Sequence, residues 1–130
     1  MVALLVVRFH HHGARSTIDD ALIKAQAAHK SLMVEFGADW CGDCQTLSRE
    51  LELEPLKTCM DQDVHRLKID VGEFNRNLDT ASGLGIDIKN GVIPTAVFFP
   101  PAKAVSTTKV GTPAILTFLK QSCPSLNSVR

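Results

Sequence analysis

Five residues, Trp40-Cys41-Gly42-Asp43-Cys44, stand between an apolar run at 32–36 (LMVEF) and a helical stripe beginning at Cys41. Two cysteines three apart at a helix start lie within one turn, close enough for their sulfurs to bridge. The first falls where unpaired backbone amides and the helix dipole favour a thiolate. A free thiol titrates at about 8.5, and this setting commonly lowers that value. The second lies one turn in and suits a resolving thiol. A strand feeding into C-x-x-C and a helix therefore constrains both the local fold and the chemistry it carries.

The other two cysteines, Cys59 and Cys123, are read as buried small hydrophobes, with a bridge between them as the alternative. Four cysteines in 130 residues are too sparse for a disulfide-stapled mini-protein. The length suits one domain with its own core. Lys plus Arg equals Asp plus Glu at 14 each, which argues against nucleic acid or an anionic membrane as main partner. No apolar run reaches 18 residues, so no membrane span is expected.

Periodicity orders the chain. Residues 17–29 place Ile18, Ala21, Leu22, Ala25 and Ala28 at helical spacing, with Ser16 or Thr17 as cap. Residues 32–36 read as a buried strand. The helix from Cys41 carries Cys44, Leu47, Ser48 and Leu51 on one stripe and should stop or kink near Pro55. Residues 64–71 alternate as a strand, with Leu67, Ile69 and Val71 on one face. A short helix is expected at 75–82, closed by Gly83, and a strand at 95–99 (TAVFF). Pro100-Pro101 turns the chain into a hairpin partner at 104–110. Thr112 caps a final helix that has Pro113 at its first position and runs to about 121. Strand–helix–strand units imply parallel pairing, and the short last connection implies an antiparallel pair. The fold class is α/β: a central mixed β-sheet with helices on both faces. The domain is expected over 16–122, with an extension at 1–15 and a fraying tail at 123–130.

Residues 1–9 (MVALLVVRF) read as an edge strand or tail. A degraded secretory signal is the alternative, since a basic n-region and a cleavage site are lacking and the apolar core is short. This favours a cytoplasmic protein, with the periplasm as alternative. His10, His11 and His12 follow. Adjacent histidines do not converge on one ion without a sharp bend, and no metal site is expected there. Half a zinc site at Cys41 and Cys44 would need two more ligands, which Cys59, Cys123 or the histidines would have to supply without zinc-like spacing.

The chain resembles the thioredoxin family. The resemblance rests on the strand 32–36, Ala38-Asp39-Trp40-Cys41-Gly42-Asp43-Cys44, Ile69-Asp70, Val92-Ile93-Pro94-Thr95, and Val110-Gly111 before the last helix. It covers roughly residues 16–122. The W-C-x-D-C motif and the Asp70-Val71-Gly72 run look most like bacterial thioredoxin-like and disulfide-isomerase-like proteins. The resemblance implies a thioredoxin fold and a thiol–disulfide oxidoreductase. Cys41 would attack a substrate disulfide, and Cys44 would displace the mixed disulfide. No cofactor is implied beyond the Cys41–Cys44 disulfide. The implied partners are protein disulfides and an upstream dithiol or reductase, with the protein acting as a monomer.

The family also implies roles outside the motif. Pro94 falls at its cis-proline, where the backbone at Ile93 binds a substrate strand, although an Ile-Pro bond alone defaults to trans. From its place beside Cys41, Trp40 would cover the sulfur and offer an apolar contact to a partner peptide, with plain core packing as the alternative. Glu35, the one charge in an apolar strand, falls at a buried carboxylate and would serve as general base for Cys44, with a solvent-facing side of the strand as the alternative. Arg66 falls near a lysine that often pairs with that carboxylate.

Three departures matter. Gly37 stands where an aromatic is common. Ile86–Gly91 is longer than usual, which bears on substrate choice. Asp43 replaces the proline between the cysteines, and a carboxylate there disfavours the Cys41 thiolate. A more reducing protein is therefore expected, with a disulfide isomerase or oxidant using the same residues as alternative. A non-catalytic thioredoxin-like binding module is the reading from outside the enzymes.

Overall fold

The computed structural model describes residues 17–102 and 105–127. Helix α1 occupies 17–27. Then come β1 (Ser31–Gly37), α2 (Gly42–Leu51), α3 (Leu56–Asp63), β2 (Val64–Asp70), α4 (Leu78–Gly83), β3 (Thr95–Phe99), β4 (Thr107–Val110), α5 (Thr112–Ser122) and α6 (Pro124–Asn127). The expectations for residues 1–15, the three histidines included, lie outside the described residues.

The sheet runs β2-β1-β3-β4. β1 pairs parallel with β2 and antiparallel with β3, and β3 pairs antiparallel with β4. The mixed sheet is as expected, with one correction. The β2–α4–β3 unit does not return parallel beside β2, because β3 crosses to the other side of β1 and runs against it. A six-residue helix is about 9 Å long. A seven-residue strand is about 23 Å long, so α4 is too short to carry the chain back along the sheet.

Alternation along β1 builds a core on each face. Leu32, Val34 and Phe36 join Ile18, Ala21 and Ala25 of α1 and Ala81 of α4. Met33 joins Leu47 and Leu51 of α2, Leu56 of α3, Phe98 of β3, and Ile115 and Leu119 of α5. Each large apolar side chain fully buried there contributes about 1.5–3 kcal/mol. The period of two sends Glu35 and Gly37 to the same face as Met33, beneath α2.

Four details differ from expectation. The chain does break at Pro55, but it resumes at once as α3, so Cys59 lies within a helix. α4 starts at Leu78, because 71–77 form a turn in which Phe74 and Asn77 take positive φ. The cap residue of α5 is Gly111, at φ +89°, one before Thr112; the Thr112 hydroxyl instead donates to the Asp43 carbonyl at 2.9 Å. Residues 124–127 do not fray: the Ser125 N–H donates to the Asp63 carboxylate at 2.8 Å, fastening α6 to α3. Among the described residues, no helix is long and apolar enough to cross a membrane.

Candidate active site

β1 ends at Gly37, and the Val71 N–H donates to the Gly37 carbonyl at 2.9 Å, extending the β1–β2 pairing by one step. The chain turns through Ala38–Trp40, and Cys41 caps α2 from an extended conformation (φ −77°, ψ 113°). Its sulfur accepts the Cys44 N–H at 3.1 Å. One orphan amide of the helix is thus spent on Cys41 Sγ, and such a contact stabilises a thiolate. The two sulfurs form a disulfide, with Cα atoms 5.2 Å apart. Both cysteines are buried. The spacers Gly42 and Asp43 are exposed.

The Ile93–Pro94 bond is cis, as the family implies, and both residues are buried. Cys41 Sγ lies 3.8 Å from the Ile93 carbonyl oxygen. The Gly111 N–H donates to the Pro94 carbonyl at 2.8 Å. With the Thr112–Asp43 bond, this ties α2, the proline loop and the start of α5 into one frame. Beside them Trp40 and Val92 are 54% and 53% exposed, an apolar rim around the buried sulfur. Trp40 is therefore not core.

Glu35 is 1% exposed. Arg66 Nε donates to its Oε1 at 2.8 Å, and Arg66 Nη2 reaches the same oxygen at 2.6 Å. A third bond runs from Arg66 Nη2 to Ser48 Oγ of α2 at 2.9 Å. The expected pairing of Arg66 with Glu35 is present. The other carboxylate oxygen and the Cys44 sulfur both border the space over Gly37: a Cβ added there would stand 3.0 Å from Cys44 Sγ and 3.7 Å from Glu35 Oε2.

Sequence reasoning missed how Trp40 is held. Its indole N–H donates to the Gly72 carbonyl at 2.8 Å, and its ring meets Phe74 edge-on with centroids 5.8 Å apart. Gly72 takes φ +59°, and a Cβ there would strike Asn75 Oδ1. Asp70 holds this turn by accepting from the Gly72 N–H and from Arg76. The Asp70-Val71-Gly72 run was the available signal.

Cys59 and Cys123 are not bystanders. Both are buried, one in α3 and one at the end of α5, and the structure joins them in a disulfide with Cα atoms 5.8 Å apart. The sequence reading favoured free thiols because unpaired cysteines are often simply small buried hydrophobes, whereas the stacking of α3 on the α5–α6 junction brings the two together across 64 residues. Among the described residues they form, with Asp63, the only cluster with metal-ligand proximity, but their sulfurs bond to each other.

A mixed sheet covered on both faces, with a C-x-x-C disulfide at a helix start and the Ile93 carbonyl against its first sulfur, defines a thiol–disulfide oxidoreductase of the thioredoxin fold. Residues 14–101 match the family described as thioredoxin-like. The chain is 30% identical over 105 residues to a thioredoxin of Mycobacterium tuberculosis, covering 78% of this chain and 81% of that protein. Among solved structures, a disulphide isomerase from Xylella fastidiosa Temecula1 is similar, with 28% identity and a TM-score of 0.69. That match covers 84% of this chain and 90% of the other. A thioredoxin from Thermus thermophilus shares the fold, with 20% identity and a TM-score of 0.59 over 85% and 86% of the two chains. The chain belongs to the thioredoxin-like family. Members of that family act on protein disulfides in concert with reductase partners, and they generally need no cofactor beyond the dithiol.

Proposed function

We propose that this protein reduces disulfides in other proteins, with Cys41 as nucleophile and Cys44 as resolving thiol. The observation that carries this reading is the bond from the Cys44 N–H to Cys41 Sγ. It favours negative charge on the sulfur nearer the substrate-facing loop. Cys41 attacks the substrate disulfide, one substrate sulfur leaves as thiolate, and a mixed disulfide forms. Cys44 then attacks Cys41 Sγ and expels the second substrate sulfur. Glu35 takes the Cys44 proton across the gap beside Gly37. Ile93 and Pro94 receive the substrate strand, and Trp40 gives it an apolar contact. Gly42 and Asp43 set the spacing, and Asp43 tunes the thiolate.

The site needs neither metal nor organic cofactor, since the dithiol carries the electrons. The upstream donor is a dithiol or reductase, and the working form is a monomer. The catalytic unit runs from about residue 16 through α6, because Cys123 and Ser125 are both fastened to α3. Insulin reduction with dithiothreitol tests the reading: wild type accelerates precipitation and Cys41→Ser does not. Equal activity in both would overturn it. Midpoint potential separates a reductant, at about −270 mV, from an isomerase or oxidant at about −180 to −120 mV.

A further inference from the structure

The active-site disulfide has two flanks. Cys41 faces the loop before β3, where its sulfur meets the Ile93 carbonyl. Cys44 faces the opposite side of β1, toward the edge strand β2. On that side a cavity of about 210 Å³ is lined by Glu35, Gly37, Asp39, Cys44, Gln45 and Lys68 among others. Asp39, Gln45 and Lys68 are exposed, so the cavity opens to solvent. It is open because residue 37 lacks a side chain; a Cβ there would stand 3.0 Å from Cys44 Sγ.

We propose that this cavity is a second entrance to the disulfide, used by a low-molecular-weight thiol bearing both a carboxylate and an ammonium group. The proposal rests on the oxidoreductase reading above. The rim supplies matching charges: among the described residues, neither the Lys68 ammonium nor the Asp39 carboxylate is in an ion pair. The electronics favour attack from this side. In disulfide exchange the better leaving sulfur is the one whose thiolate is more stable. Cys41 Sγ already accepts the Cys44 N–H, so attack on Cys44 expels the stabilised partner.

The step balances as follows. An external thiolate bonds to Cys44 Sγ, the Cys44–Cys41 bond breaks, and its electron pair leaves on Cys41. A second external thiolate attacks the external sulfur of the mixed disulfide and displaces Cys44, which takes up a proton. Two small thiols leave as one small disulfide, and the protein gains their two electrons. Gly37 is thereby a specificity-determining residue: it admits a small thiol where any side chain would shield the sulfur.

The reverse half-reaction gives a clean test. In Cys41→Ser, Cys44 is the sole active-site thiol, and glutathione disulfide should form an adduct on it that intact mass records. Adding Gly37→Ala should slow that adduct about tenfold, the equivalent of 1.4 kcal/mol. Adding Lys68→Glu should slow glutathione disulfide severalfold but leave neutral bis(2-hydroxyethyl) disulfide unchanged. The Lys68 variant touches no sulfur, so it keeps the test valid if Gly37→Ala misfolds by circular dichroism. Failure of Cys44 to form the adduct, or parent rates in every folded variant, would overturn the second entrance. Insulin reduction by the wild-type chain is read in parallel. Its absence would sink the oxidoreductase reading itself, whatever the adduct shows.

Discussion

The Cys44 N–H points at the sulfur of Cys41 from 3.1 Å, so the cysteine that opens the pair also caps the helix that carries it. The proposed nucleophile and the N-cap are one residue. The helix is stabilised and the thiolate is stabilised by the same contact. After reduction, Cys41 should alkylate with iodoacetamide at neutral pH well before Cys44. Peptide mapping of partly labelled protein reads the order, and equal labelling would refute the division of roles.

Asp43 adds a carboxylate beside that sulfur and is exposed. An exposed charge is worth about 0.2–1 kcal/mol. For a two-electron couple this corresponds to up to about 20 mV. Asp43→Asn should therefore raise the midpoint potential by that order and move the Cys41 thiolate absorbance to lower pH. A shift in the opposite direction would show that Asp43 acts through geometry rather than charge.

Glu35 should matter for the second half of the cycle, not the first. Glu35→Gln keeps the volume but removes the proposed base. Turnover on insulin should fall by about 10²-fold at neutral pH, within the range for a lost general base. The initial alkylation rate of Cys41 should change little. A matched loss in both would mean that the substitution disturbs the pair as a whole.

Arg66 holds Glu35 to both β2 and Ser48 of α2. Arg66→Met leaves a carboxylate that is 1% exposed without its cation. Breaking a buried pair from one side costs about 3–5 kcal/mol, and somewhat less here because Arg66 is 20% exposed. Urea unfolding should show a lower midpoint and an unfolding free energy reduced by that amount. An unchanged midpoint would show that the pair contributes nothing net.

The Cys59–Cys123 disulfide closes a separation of 64 residues. Removing a native disulfide typically costs about 2–4 kcal/mol. Cys59→Ala with Cys123→Ala should lose stability by that amount in non-reducing urea titrations while keeping insulin activity. Non-reducing peptide maps of wild type should contain the cross-linked pair. Two free thiols at these positions would contradict it.

What the residues settled unaided was local or periodic. Helical geometry alone puts positions 41 and 44 within one turn, so the C-x-x-C pair was legible without any partner. Alternation in 64–71 told which of its residues share a face, whereas 32–36 read only as a buried run with a turn from Gly37; that β1 includes Gly37, and so turns it to the same face as Glu35, is shown by the structure. What tertiary structure decided was every contact across the fold. Glu35 meets Arg66 over 31 residues, Trp40 meets Gly72 over 32, Cys41 meets Ile93 over 52, and Cys59 meets Cys123 over 64. Such contacts depend on which helix lies on which sheet face and on the side of β1 that β3 takes. Those choices are made by the summed burial of both cores, which no single stretch of sequence encodes. The absence of a side chain at position 37 is plain in the sequence, but only the stacking of α2 on β1 turns that absence into an opening beside Cys44.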